Sequence, residues 1–255
     1  MELTFLGTGT STGVPQIGCT CDVCRSNDPC DKRLRCSAHL KVGEHNLLID
    51  CGPDFRTQIL REGSPDIDAL LITHIHYDHV GGVDDLRPYC HLHDGLPVYC
   101  TPDVAKGIRH NFPYCFVKHP YPGVPSFEIH EISRGEPFNI GDITITPLPV
   151  LHYRLQIVGY RIGNLAYITD AKVVPDLTII LAKGVDTLVL NALRIEEHIA
   201  HLTLDEAIAM VEKIGPRVAY FTHMSHDIGL HAEVNRRLPD NIHLATDGLR
   251  IHIPD

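Results

Sequence analysis

Residues 69–79 read Ala-Leu-Leu-Ile-Thr-His-Ile-His-Tyr-Asp-His, the stretch of the chain that most restricts its fold. The apolar run Ala69–Ile72 has the length and character of a buried strand. Directly after it, His74, His76, Asp78 and His79 put three imidazoles and a carboxylate within six positions. Such a segment needs a rigid scaffold that buries the strand and opens its end into a loop. His74 and His76 then point the same way, while Asp78 and His79 turn toward a neighbouring position. Nitrogen and oxygen donors of this kind suit zinc, manganese or iron. One closed zinc site takes about four ligands. The segment alone supplies four, and further candidates follow downstream, which points to two ions side by side and to hydrolysis. The chain holds 18 histidines, so some clustering is expected by chance. Four ligand-type residues packed behind one apolar run exceed that expectation.

A length of 255 residues suits one large domain, 1–255, with a full hydrophobic core. No apolar run approaches the roughly 20 residues that cross a bilayer, so no membrane partner is expected. Met1–Gly7 lacks the basic and long apolar regions of a signal peptide, and a cytoplasmic location is the resulting expectation. Nine cysteines in such a chain read as thiols and metal ligands rather than a disulfide framework. The net charge of -10, from 22 basic and 32 acidic residues, runs against a long nucleic acid as partner. A small phosphorylated substrate remains compatible, because bound metals supply local positive charge. A homodimer stays open as the assembly.

Short apolar segments rich in β-branched residues recur at Leu3–Leu6, Leu47–Ile49, Leu70–Thr73, Pro97–Tyr99, Ile143–Thr146, Ile157–Tyr160, Leu165–Thr169, Thr187–Leu190 and Val218–Thr222, with two more near the C-terminus. These predict strands. Residues 203–214 predict a helix, opened by Thr203 with Glu206 three positions on and ended at Gly215-Pro216. Pro102–His110 predicts another. The stretch 111–137 reads as an irregular excursion, either a roof over a pocket or a surface loop. The run Gly7-Thr8-Gly9-Thr10-Ser11-Thr12-Gly13 fails as a dinucleotide fingerprint, since Thr12 stands where the third glycine belongs. A tight loop after the first strand explains it. Strands first, then strands mixed with helices, predict two sheets covered by helices in a four-layer α/β arrangement.

Four further segments end in ligand-type residues: His152 after Leu148–Leu151, Asp170 after Leu165–Thr169, His223 after Val218–Thr222, and Asp50 after Leu47–Ile49. Their order and spacing resemble the metallo-β-lactamase superfamily over nearly the whole chain, which implies the αββα sandwich with two mixed sheets. The resemblance implies that His74, His76 and His152 bind one metal, that Asp78, His79 and His223 bind a second, and that Asp170 bridges both. Asp50 is expected behind them, accepting a hydrogen bond from a ligand imidazole.

Cys19, Cys21 and Cys24 form C-x-C-x-x-C, three thiolates able to share one tetrahedral ion. This pattern is similar to the cyclic phosphate phosphodiesterases of the phosphonate-degrading carbon–phosphorus lyase pathway. That family implies His226, three residues after His223, as the fourth ligand of a structural zinc. It also implies a histidine just before a helix that reaches the reacting phosphate, here His201, with His198 as a competing surface residue.

The implied chemistry uses two zinc or manganese ions sharing a hydroxide, with Asp170, Asp50 and His201 as the catalytic set. His201 as an imidazolium would donate a proton to the departing alkoxide. Three rivals share parts of the pattern. The tRNA 3′-end processing endonucleases share the Phe5-Leu6-Gly7-Thr8-Gly9 opening but conflict with the net acidity. Thioester hydrolases of the glyoxalase II type normally carry an added C-terminal helical domain. A non-enzyme reading, the carrier-like family of pyrroloquinoline quinone biosynthesis, has the cysteine loop with a depleted dinuclear set.

Overall fold

The computed structural model describes residues 1–119 and 121–254. Six strands build most of a first sheet: β1 (Glu2–Gly7), β2 (Ser37–Val42), β3 (His45–Ile49), β4 (Ala69–Leu71), β5 (Leu96–Cys100) and β6 (Phe127–Glu131). Seven build the second: β7 (Phe138–Ile140), β8 (Ile143–His152), β9 (Leu155–Ile162), β10 (Leu165–Ile168), β11 (Thr187–Asn191), β12 (Val218–Thr222) and β13 (Ile242–Leu244). β14 (Arg250–His252) returns to pair antiparallel with β1. The orders are β14-β1-β2-β3-β4-β5-β6 and β13-β12-β11-β10-β9-β8-β7, and both sheets mix parallel with antiparallel pairs. The helices are α1 (Asp22–Arg25), α2 (Phe55–Arg61), α3 (Tyr77–Val80), α4 (Arg87–Leu92), α5 (Pro102–Asn111), α6 (Asp176–Ala182), α7 (Leu204–Ile214) and α8 (His231–Asn235).

Strand periodicity sorts the side chains into three apolar layers. In β3, Leu47 and Ile49 enter a core between the sheets, where they join Leu3, Phe5, Tyr160 and Tyr167. Leu48 faces the opposite way, onto Phe55 and Ile59 of α2 and Val104 and Ile108 of α5. The same alternation in β10 sends Tyr167 inward and Ala166 and Ile168 outward, into the core with Ala207, Met210 and Val211 of α7. Alternate side chains of a strand lie on opposite faces, so a sheet buried on both sides needs apolar residues throughout. Three cores between four layers give the helix–sheet–sheet–helix sandwich. Each fully buried leucine contributes roughly 1.5–3 kcal/mol to it.

Local signals fix the helix ends. Thr203 accepts from the Glu206 N–H, and the Glu206 carboxylate accepts from the Thr203 N–H, closing both halves of a capping box. Gly215 at φ 74° ends α7 in the left-handed region. The structure departs from the sequence expectation at 111–137. Rather than being irregular throughout, the stretch contains a 3₁₀ turn at Pro113–Phe116 and the edge strand β6, which runs parallel to β5. Glu128, His130 and Glu131 break the apolar pattern there, as suits an edge strand with little to bury. Pro120 lies outside the described residues. β2 was also absent from the expected strands. His39 and Lys41 dilute its apolar signal, and antiparallel pairing with both β1 and β3 supplies what propensity does not.

Candidate metal centre

The expected ligands gather where the ends of both sheets meet. Asp50 follows β3, the segment 73–79 follows β4, His152 ends β8, Asp170 lies just past β10 and His223 follows β12. Asp50, Asp170 and His223 sit at φ 60°, 58° and 55°. This left-handed backbone is uncommon for residues with a Cβ and concentrates at functional sites. Each reversal turns a side chain away from its strand direction and into the space between the sheets. The loops are pressed together: a Cβ on Gly52 would lie 2.1 Å from the Asp78 carbonyl oxygen, so only glycine fits there.

Donor atoms of His74, His76 and His152 lie within 4.8 Å of one another, and so do those of Asp78, His79, Asp170 and His223. Asp170 spans the two groups. Its Oδ2 is 3.8 Å from His74 Nε2 and 3.2 Å from His223 Nε2, and its Oδ1 is 3.4 Å from His79 Nε2. Thr169 Oγ1 donates to Asp170 Oδ1 at 2.6 Å and holds the carboxylate in that orientation.

The far nitrogens of the ligand rings are anchored. His79 Nδ1 donates to Asp50 Oδ2 at 2.7 Å. Thr73 donates to Asp50 from both its N–H and its hydroxyl, each at 2.8 Å, and the hydroxyl lies 3.0 Å from His74 Nδ1. One buried carboxylate therefore orients two imidazoles, one directly and one through a hydroxyl. His152 Nδ1 donates to the Ala200 carbonyl at 2.9 Å. These bonds turn Nε2 of each ring toward the centre. Nε2 of His74 and of His79 is buried without a hydrogen-bond partner. A buried polar atom left unpaired costs stability, and inward lone pairs set among carboxylates are what a divalent cation would satisfy. The donor set fits a metal pair.

Charge is concentrated here before any ion binds. Burial alone would raise Asp170 and Asp78, but the facing imidazoles of His79 and His223 hold both carboxyls below the usual range. Burial opposes charge on His79, yet Asp170, Asp50 and Asp78 outweigh it and raise that imidazole well above its ordinary value. His74, buried beside it, is pushed down. Without metal the centre thus holds a protonated imidazole among carboxylates.

His201 is buried, with its ring 4.6 Å from that of His152 and 4.9 Å from that of His223. It can join His152 and Asp170 as a third group of mutually close donors. Its Nδ1 has no partner. Burial and the nearby His223 lower it to about 3, so the ring is neutral near pH 7. His198 is only half-buried, and its Nδ1 accepts the Ala200 N–H, ordering the loop that holds His152.

The cysteine loop forms a separate cluster. Donor atoms of Cys19, Cys21, Cys24 and His226 all lie within 4.8 Å. His226 Nδ1 is 3.5 Å from Cys21 Sγ and 3.9 Å from Cys19 Sγ, while its Nε2 donates to Gln16 Oε1 at 3.2 Å. The glycine-rich loop after β1 reaches the same region: Thr8 O accepts from the Met224 N–H, and Met224 O accepts from Thr10.

Sequence reading missed Thr73, Thr169, Gln16 and the Ala200 carbonyl. Thr73 and Thr169 each precede a ligand by one position, a readable signal; Gln16 and Ala200 carry none.

A family model described as "Beta-lactamase superfamily domain" matches residues 45–224. The chain belongs to the beta-lactamase superfamily. Within that class, a solved structure described as a new diphosphatase from the PhnP family is 41% identical, with a TM-score of 0.92 over 99% of this chain and 98% of the other. An octanoyltransferase of Porphyromonas gingivalis is 44% identical over 257 residues, covering 100% of this chain and 52% of that protein. A ribonuclease Z of Thermosynechococcus vestitus is 30% identical over 167 residues, covering 64% of this chain and 36% of that protein. The chain spans about half or less of the length of these two curated relatives. Among the described residues, no helix is long and apolar enough to cross a membrane.

Proposed function

We propose that the chain hydrolyses a small phosphodiester or phosphate anhydride, with two zinc or manganese ions as cofactors. The observation that carries this reading is the position of Asp170, one carboxylate that faces His74 of one ligand group and His79 and His223 of the other. His74, His76 and His152 would hold one ion, Asp78, His79 and His223 the second, and Asp170 both. Two such ions supply Lewis acidity for the phosphoryl oxygens and an acidified water. Asp50 keeps the imidazoles of His79 and His74 with their lone pairs inward, the latter through Thr73. His201, as a neutral imidazole, offers one N–H to an oxygen of the bound phosphate and stabilises the negative charge that grows there. Cys19, Cys21, Cys24 and His226 would hold a structural zinc that ties the N-terminal loop to the segment after β12.

The similarity to a diphosphatase over nearly the full length of both chains favours phosphate over thioester substrates. The octanoyltransferase named above is about twice as long as this chain, so its activity is not transferred here. The net charge of -10 disfavours tRNA. A cyclic ribose phosphate is the substrate class to test after a simple diester. The deciding experiment is hydrolysis of bis(p-nitrophenyl) phosphate by protein loaded with manganese or zinc, with Asp170→Ala as control. We expect the substitution to lower turnover by at least about 100-fold. Fully loaded protein that turns over neither this diester nor a diphosphate ester would refute the reading.

A further inference from the structure

Cys36 lies just before β2, in the core between the sheets, and is fully buried behind the metal centre. Its Sγ is 3.3 Å from the Tyr167 hydroxyl on β10, 3.4 Å from Thr222 Oγ1 at the end of β12 and 3.7 Å from Thr169 Oγ1. All three partners are themselves fully buried. Thr169 and Thr222 each stand one position before a candidate ligand, Asp170 and His223. The sulfur thus sits beneath two strand ends that each deliver a ligand. Among the described residues it is the one hydrogen-bond partner of the Tyr167 and Thr222 hydroxyls.

The direction of every proton in this cluster follows from its last acceptor. A carboxylate that holds metal is ionised, and an ionised carboxylate only accepts. Thr169 therefore commits its single O–H to Asp170 Oδ1, at 2.6 Å. Toward Cys36 the same oxygen can only accept, so that contact runs from S–H to Oγ1. Burial pushes the Cys36 thiol above its ordinary value, so the sulfur keeps its proton. With the S–H committed, the hydroxyls of Tyr167 and Thr222 donate to the sulfur lone pairs. All the donors then run one way, from Tyr167 and Thr222 through Cys36 and Thr169 to Asp170. Bonds ordered head to tail polarise one another. We infer that Cys36 is a positioning residue for the bridging carboxylate. Its thiol locks the Thr169 hydroxyl toward Asp170 Oδ1 and so keeps that carboxylate turned to both ligand groups. The role rests on the reading of the centre as a metal pair bridged by Asp170, and it deepens that reading.

A double-mutant cycle on metal affinity tests this without any turnover. Competition with a chromogenic chelator measures manganese binding by wild type, Cys36→Ala, Thr169→Val and the double variant. Thr169→Val should weaken binding by about 10-fold, the low end for a partner behind a ligand. Cys36→Ala should weaken it by about fivefold while Thr169 is present. In the Thr169→Val background the same change should cost less than about twofold, because the thiol then has no hydroxyl to act through. A thiol that merely fills the core would give equal losses on both backgrounds, and that result overturns the inference, as does no loss on either. If Cys36→Ala does not fold, Tyr167→Phe carries the same cycle, since it removes the first donor and keeps the ring in the core. Its loss, about threefold, should likewise vanish in the Thr169→Val background, and a loss of the same size there overturns the inference. Wild-type protein that binds fewer than two manganese ions per chain at saturation overturns the metal-pair reading, and the role of Cys36 with it.

Discussion

The two candidate metal clusters are built by opposite strategies. In the imidazole–carboxylate centre, ligands come from the ends of strands in both sheets, and a second tier of Asp50, Thr73, Thr169 and the Ala200 carbonyl fixes their orientation. The unpaired Nε2 of His74, buried at the centre, costs folding energy that the protein spends before an ion arrives. The cysteine cluster has no strand beneath it. Cys19, Cys21 and Cys24 lie in a loop and the short α1, over a small apolar patch of Val14, Val23 and Leu230, and their histidine is held from loop side chains, Gln16 at Nε2 and Asp227 at Nδ1. The first centre is organised by the fold. The second would be organised by its ion, as small structural zinc sites are.

If that contrast holds, changes at the first centre alter chemistry and leave the fold intact, and changes at the second do the reverse. His201→Ala gives the largest expected effect after Asp170→Ala. Turnover should fall by about 100-fold, the lower end for a lost proton-transfer or charge-stabilising group, while elemental analysis finds the same metal content. Loss of metal in this variant would make His201 a ligand instead. Asp50→Asn should weaken metal binding at the first centre by about 10- to 100-fold, the usual cost of removing a partner behind a ligand. Competition with a chromogenic chelator measures it, and unchanged affinity would mean that packing, rather than hydrogen bonding, sets the ring orientations. Cys21→Ser should remove one zinc per chain and leave the dinuclear ions in place. A bound ion at 100 times its Kd is worth about 2.7 kcal/mol, so the unfolding midpoint should drop by roughly 5–10 °C. An unchanged midpoint and zinc count would remove the structural role.

The same contrast explains what could be read from the sequence. The first centre was legible because its ligands end apolar strands, so the strand pattern located the chemistry: His74 after β4, His152 on β8, Asp170 past β10 and His223 after β12. The four-layer sandwich was legible for the same reason. The supports were less so, because a hydroxyl such as Thr73 or a carbonyl such as that of Ala200 looks alike wherever it occurs. β2 and β6 escaped because neighbouring strands, rather than their own apolar content, stabilise them. The burial that depresses His201 cannot be seen in a linear pattern either.

The smallest expected effect separates the metal-free from the loaded centre by pH. In metal-free protein the carboxylates Asp170, Asp50 and Asp78 outweigh burial and raise His79. The stability this contributes is complete below the unfolded histidine value of about 6.5 and is lost as pH rises toward the raised folded value, by at most about 1.4 kcal/mol per pH unit. Asp78 and Asp170, held low, contribute stability that is present above about 3.9 and lost as pH falls below it. The metal-free fold should therefore be most stable in mildly acidic solution and melt a few degrees lower by pH 8. With ions bound, the proton on His79 has been displaced and this alkaline loss should disappear, because ligands must be deprotonated to bind. Thermal melts of stripped and reloaded protein between pH 6 and pH 8 test it. Parallel curves for the two forms would mean that the fold tolerates the uncompensated charges of the first centre without help from His79, and that the metal-free geometry is held by the second tier alone.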